Sequence, residues 1–206
     1  MPYFSEKDTA TILQFMQEHP FAMLTGCANN EPVATQIPLL ITEKEDQITL
    51  RGHMMKKTDH HKAFLDNPNA LVLFTGAHCY VSSSWYTHKG EGATWNYMTV
   101  QAKGKMEVLS EEETISILQE TTDKHEEHQP NPQFMRDIPT EYIQKHVKAI
   151  EGFKIVVTEL NATFKLSQNR DEQSYDNIIQ HLERIGKHGE LEIAQKMKER
   201  KSKLFQ

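Results

Sequence analysis

Residues 48–61 read ITLRGHMMKKTDHH. A β-rich run ends at Leu50, and the chain then sets down Arg51, Gly52, His53, Met54, Met55, Lys56, Lys57, Thr58, Asp59, His60 and His61 in succession. Cations gather where a strand is expected to pass into a helix. Such a handover suits an anion, because glycine lets backbone approach closely, an arginine fork grips two oxygens at once, and the first N–H groups of a helix point outward. Arg51, Gly52, His53, Met54, Lys56 and Lys57 are therefore candidates for a phosphate pocket. The alternative reading of the same composition is a solvated, mixed-charge loop.

Upstream, FAMLTGCANNEPVATQIPLLI (21–41) reads as two strands joined around Ala28-Asn29-Asn30-Glu31, since paired asparagines tolerate left-handed turn geometry. Gln47 to Arg51 makes a third strand after the charged turn Glu43-Lys44-Glu45-Asp46, and Thr58 to Asn67 a short helix stopped by Asn67-Pro68. Downstream, Ala70–Thr75 and His78–Ser83 flank Gly76-Ala77 as two more strands, and Trp95–Leu109 is long enough to bend at Gly104. Ser5 with Asp8, and Ser110 with Glu113, resemble capping boxes, opening one helix that ends near His19-Pro20 and another that runs to about Lys124. Tyr142–Ile150 reads as a helix, Gly152–Leu160 as a strand with Ala162–Leu166 continuing it, and Asp171–Ile185 and Leu191–Lys203 as two helices separated at Gly186 and Gly189.

Strands joined mostly by short turns favour an antiparallel sheet, and closing it into a small barrel removes its edges. The expected fold is mainly β, a six-stranded antiparallel barrel with peripheral helices. Residues 1–170 are expected to form the barrel domain and residues 171–206 a C-terminal helical hairpin. A net charge of −6 over 206 residues gives no overall attraction to nucleic acid or an anionic membrane. Cys27 and Cys79 each sit in an apolar run and read as small buried hydrophobes, which points to a reducing compartment. Without a leader-like segment or an apolar run of roughly 18 residues, a cytoplasmic protein with no membrane partner is expected.

A second polar concentration is SSSWYTHKGEGATWNY (82–97), which holds both tryptophans, three serines, two threonines and two tyrosines. Flat apolar rings beside a few directed hydrogen-bonding groups suit a planar ligand, although Trp85 and Trp95 read equally as core aromatics at barrel ends. A third set, Lys165-Leu166-Ser167-Gln168-Asn169-Arg170, ends a strand with consecutive polar groups and alone reads as a helix cap. No Gly-rich phosphate loop of the dinucleotide or P-loop type occurs, so side chains must hold any phosphate. His125-Glu126-Glu127-His128 lacks the spacing of a zinc-hydrolase motif, and no metal site is assigned.

RGHMMKKTDHH (51–61), CYVSSSWY (79–86), ATWNYMTVQAKG (93–104) and FKLSQNR (164–170), in this order after PVATQIPLLI (32–41), resemble the PaiB family of FMN-binding negative transcriptional regulators. The resemblance covers about residues 1–185. Many family members carry Ala-Asn where this chain has Met55-Lys56-Lys57-Thr58-Asp59, and proline where it has Ser84 and Ala93. The family belongs with the FMN-binding split barrels, which implies a homodimer with FMN held near the subunit interface. Under this resemblance Arg51 with Lys56 or Lys57 takes the phosphate, and backbone along Thr35, Gln36, Ile37 and Pro38 meets the polar edge of the ring. Ser83, Trp85, Thr94, Trp95 and Asn96 would line the ring or ribityl chain, with Lys165, Gln168 and Arg170 reaching it from a partner chain. The implied function is a flavin-binding regulator or sensor, with DNA as a partner. The alternatives are an oxidoreductase using NAD(P)H and a small acceptor, and a haem-binding split barrel.

Overall fold

The computed structural model describes residues 2–205. In chain order its regular elements are β1 (Ser5–Glu6), α1 (Thr9–Glu18), β2 (Phe21–Ala28), β3 (Glu31–Pro38), β4 (Leu40–Lys44), β5 (Gln47–Met55), α2 (Asp59–Asp66), β6 (Asn69–Val81), β7 (Thr94–Val108), α3 (Glu111–Glu126), α4 (Thr140–Val147), β8 (Ile150–Lys165), α5 (Glu172–Ile185) and α6 (His188–Leu204). Hydrogen-bonded neighbours run β3-β2-β6-β7-β8-β5-β4, with β1 paired to β8. Eight strands are thus present among the described residues, against the six expected. The extra ones are β1, of two residues, and β4, whose Leu40-Ile41 the sequence assigns to the end of the preceding hairpin and whose Glu43-Lys44 it assigns to the charged turn. No helix among the described residues is long and apolar enough to cross a membrane.

One compact unit comprises residues 16–74 and 101–160. Its two hairpins turn on paired left-handed residues, Asn29-Asn30 (φ 51° and 63°) and Glu45-Asp46 (φ 53° and 62°), the geometry of two-residue hairpin loops. Alternation then fixes the faces of β5. Ile48, Leu50, Gly52 and Met54 point into the core, while Thr49, Arg51 and His53 lie on the opposite face. β5 extends to Met55, so the cations after Leu50 begin on a strand and not in a loop. A Cβ on Gly52 would lie 2.9 Å from the Phe153 ring and 3.0 Å from Leu39, which gives core packing as the reason for glycine there. α3 opens with the expected capping box: Ser110 Oγ accepts from the Glu113 N–H at 3.2 Å, and Glu113 Oε2 accepts from the Ser110 N–H at 2.9 Å.

The other unit comprises residues 1–15, 75–100 and 161–206, with residue 1 and residue 206 outside the described range. Here α1 starts at Thr9, where the Asp8 carbonyl accepts from the Ile12 N–H; Ser5 pairs with Thr163 in β1 and caps nothing. α5 and α6 form the expected helical hairpin and bury Tyr175, Ile178, Leu182, Ile193 and Met197. Gly186, at φ 70°, is the left-handed stop of α5, whereas Gly189 lies inside the first turn of α6. β6 is continuous through Gly76-Ala77, where two separate strands are expected from the sequence, and β8 runs on through Asn161 as expected. Cys79 is buried as expected, but Cys27 on β2 is exposed.

Candidate functional site

In the unit of residues 16–74 and 101–160, the outer face of β5 lies against α3. Arg51 meets Glu120 of α3 as a two-pronged pair, Nη1 donating to Oε1 at 2.8 Å and Nη2 to Oε2 at 2.7 Å. The pair raises the Arg51 pKa and lowers that of Glu120, so both stay charged. His53, two residues along the same face, has its pKa lowered by burial and is held towards the neutral form. Beyond the strand, Lys56 Nζ lies 3.3 Å from Glu151 Oε1, whose Oε2 is 3.2 Å from His61 Nε2. The Lys57 N–H donates to His61 Nδ1 at 3.3 Å, which assigns the His61 proton to Nε2, facing Glu151. This clasp holds Lys57 at φ 69°, and Lys57 makes no ion pair among the described residues.

The start of α2 is satisfied from within. The His61 N–H reaches Thr58 Oγ1 at 3.3 Å and the His60 N–H reaches Asp59 Oδ1 at 2.7 Å, so an anion here would be met by side chains: Lys57, and Arg51 and Lys56 in exchange for their carboxylates. β3 is the terminal strand of the sheet order, and its pairing runs to β2 alone among the described residues. Thr35 and Pro38 are half-buried, Gln36 is exposed and Ile37 is buried, so what this edge offers is chiefly backbone.

In the unit of residues 1–15, 75–100 and 161–206, Ser83 and Trp85 form a single turn of 3₁₀ helix. Trp85 lies on the His181 ring with centroids 4.9 Å apart, and its carbonyl accepts from Asn177 Nδ2 at 3.1 Å. Trp95 is 54% exposed and meets Tyr80 edge-on at 5.9 Å, so it is a surface ring and not a core aromatic. Asn96 is fully enclosed: its Oδ1 accepts from Ser167 Oγ at 3.0 Å and its Nδ2 points at Met197 Sδ at 3.5 Å. Lys165 bonds Thr94 Oγ1. Gln168 folds back onto its own turn, Oε1 accepting from the Leu166 N–H at 2.7 Å and Nε2 donating to the Phe164 carbonyl at 2.5 Å. Arg170 lies over the Tyr86 ring at 4.0 Å and pairs with Glu91, while the buried Tyr86 hydroxyl has no hydrogen-bond partner among the described residues.

The predicted residues thus fall into two sets, one in each unit. Sequence reading missed Glu120 and Glu151 as partners of the cations; each lies far along the chain from its cation, and no local pattern marks either. Tyr86 lies in CYVSSSWY, where its residue type alone does not distinguish it from Tyr80. The guanidinium fork of Arg51, halfway along β5, has the shape to take two oxygens of a phosphate monoester, Lys56 and Lys57 follow beyond the strand's end, and the Tyr86 hydroxyl, without a partner among the described residues, can still donate to or accept from a ligand.

Residues 1–159 match the protein family described as "Putative FMN-binding domain". The chain is 34% identical over 181 residues to the Bacillus subtilis (strain 168) protein named Protease synthase and sporulation protein PAI 2, spanning 88% of this chain and 87% of that one. Among solved structures, the flavocytochrome Anf3 from Azotobacter vinelandii is similar with a TM-score of 0.56 at 14% identity, over 84% of this chain and 75% of that chain. The FAD and heme binding protein from Mycobacterium smegmatis gives a TM-score of 0.55 at 13% identity, over 79% and 73%. At such identities the likeness is one of fold, and it agrees with the mainly antiparallel split-barrel class expected from the sequence.

Proposed function

Because this chain belongs to the family of FMN-binding domains, with FMN as its cofactor, we propose that it is a flavin-binding regulator or sensor of the PaiB type. The observation that carries the reading is the Arg51 fork on the outer face of β5, already shaped around two carboxylate oxygens, with Lys56 and Lys57 following beyond the strand and Lys57 held in a left-handed turn by His61. An FMN phosphate is close to a dianion, so a guanidinium fork and two ammonium groups match it in charge and shape. Arg51 grips two phosphate oxygens in this reading, and Lys56 and Lys57 supply the remaining charge. Backbone groups along Thr35–Pro38 meet the polar edge of the ring. Bound FMN supplies an electron-accepting ring, which the protein orients and shields.

The regulatory half of the proposal draws on the relative whose name links it to protease synthesis and sporulation. A homodimer belongs to the same proposal. Trp95 and Tyr80 offer exposed aromatic area to a second copy, with Lys165 and Arg170 on the same unit. The second reading is an NAD(P)H-dependent oxidoreductase, which needs no DNA contact; basic residues on α6 already face carboxylates. Arg200 pairs with Glu6 at 2.6 Å, Lys201 with Asp176 at 2.7 Å, Lys198 with Glu183, and Lys196 lies 3.8 Å from Glu199. Cations already matched by carboxylates release few counterions from DNA and bind it weakly.

The test is a visible spectrum of the purified protein followed by FMN titration of wild type and Arg51→Ala. Saturable quenching of flavin fluorescence at micromolar FMN, weakened by roughly 1.5–3 kcal/mol in the variant, supports the pocket. A folded protein that binds no FMN refutes it, and a Soret band points to haem. Salt-sensitive binding to promoter DNA then favours the regulator, and steady NAD(P)H consumption the oxidoreductase.

A further inference from the structure

Two cations at the proposed phosphate site already have anionic partners, and the two partners differ in kind. Glu151 is clasped, its oxygens shared between Lys56 Nζ at 3.3 Å and His61 Nε2 at 3.2 Å, with its side chain 19% exposed. Glu120 is held far less. Its side chain is 44% exposed, and among the described residues its hydrogen-bond partner besides Arg51 is Ser116 Oγ, one turn back along α3 at 3.5 Å. Both carboxylate oxygens nonetheless lie on the Arg51 fork at 2.7 and 2.8 Å, the arrangement a phosphate monoester would adopt on the same guanidinium.

We propose that Glu120 is a displaceable internal anion that occupies the Arg51 fork until a phosphate monoester replaces it, and that it thereby sets how well the chain tells FMN from riboflavin. The inference rests on the reading that Arg51 holds the flavin phosphate. Arg51 has five N–H donors and Glu120 uses two. A phosphate on the remaining donors would sit beside an ionised carboxylate on one side of the same group, and like charges at contact distance repel even where a partly exposed setting screens them. Departure of Glu120 relieves that repulsion at small cost, because an exposed helix side chain regains water and rotamer freedom on leaving. FMN must therefore compete for Arg51 with a tethered carboxylate. Riboflavin, lacking the phosphate, has no reason to displace it.

The experiment compares FMN and riboflavin affinities, by flavin fluorescence, in wild type, Glu120→Gln, Arg51→Ala and the double variant. Glu120→Gln keeps the shape and lowers the competition, so FMN should bind about fivefold more tightly while riboflavin stays within about twofold. In the Arg51→Ala background the same substitution should change FMN affinity by less than about twofold, which separates competition at Arg51 from a general effect on α3. If Arg51→Ala weakens FMN binding but Glu120→Gln leaves it unchanged or weakens it, Glu120 only fastens α3 to the sheet and this inference falls while the phosphate site stands. Should Arg51→Ala leave FMN affinity intact, or wild type bind no FMN, the phosphate reading and the inference fail together. Glu120→Ala, at an exposed helical position, provides a second variant if the glutamine form folds poorly.

Discussion

A Cβ at residue 104 would lie 2.2 Å from the Val156 carbonyl oxygen and 2.7 Å from Ile155 Cγ2. Backbone cannot give way as a side chain can, so Gly104→Ala should lower stability by about 2–3 kcal/mol in urea unfolding. Gly92→Ala, with nothing within 4 Å, is the control and should fall within about 0.5 kcal/mol of wild type. The Asp171 carboxylate is held down to about 2 by hydrogen bonds from Ser174, with Thr87 adding a further one at 3.0 Å. Its ordinary value is 3.8, so its stabilisation is complete above that pH and is lost as pH falls towards about 2. Asp171→Ala should therefore cost about 1 kcal/mol of helix capping near neutrality and flatten acid unfolding between those two values. Residue types alone suggested the ligand-facing set, but they could not separate Trp95, exposed on its strand, from Asn96, whose amide is spent on Ser167 and Met197. Adjacent residues on a strand face opposite ways, and which of two faces is buried depends on partners elsewhere in the chain.

Turns and caps were the elements most legible from the sequence, because their chemistry is local. Asn29-Asn30 adopts the left-handed pair that its composition predicts, and Ser110 with Glu113 closes both arms of its capping box. Glu45-Asp46 takes the same left-handed geometry, although glutamate, unlike aspartate, is poorly suited to it. Replacing the pair by Asn-Gly should stabilise the β4–β5 hairpin, raising unfolding free energy by about 1 kcal/mol in chemical denaturation. Long strands were less legible. Gly76-Ala77 carries turn chemistry, yet β6 runs through it because pairing along the sheet overrides a weak local preference. The Arg51–Glu120 pair was equally hidden, since a strand and a helix separated by 69 positions meet only after the sheet has formed.

At the scale of the whole molecule, the C-terminal helix is fastened by charge as well as by apolar contact. Arg200 reaches Glu6 at 2.6 Å and lies over the Phe164 ring at 5.0 Å, tying α6 to β1 and β8 within one unit. Arg200→Ala should lose packing and an ion pair together, lowering stability by about 1 kcal/mol and the melting temperature by roughly 2–4 °C in calorimetry. High salt should weaken the same contact in the wild type, since its ends are partly exposed. The two thiols lead somewhere different. Cys27 is exposed, whereas Cys79 is enclosed and its pKa is pushed up to about 12 by burial. A maleimide dye will consequently mark the native chain at one position, residue 27, and Ellman's reagent will release a second equivalent only on denaturation. That leaves the molecule with a ready-made attachment point for an optical reporter, so ligand loading and unfolding can be followed on unaltered protein without engineering a single cysteine.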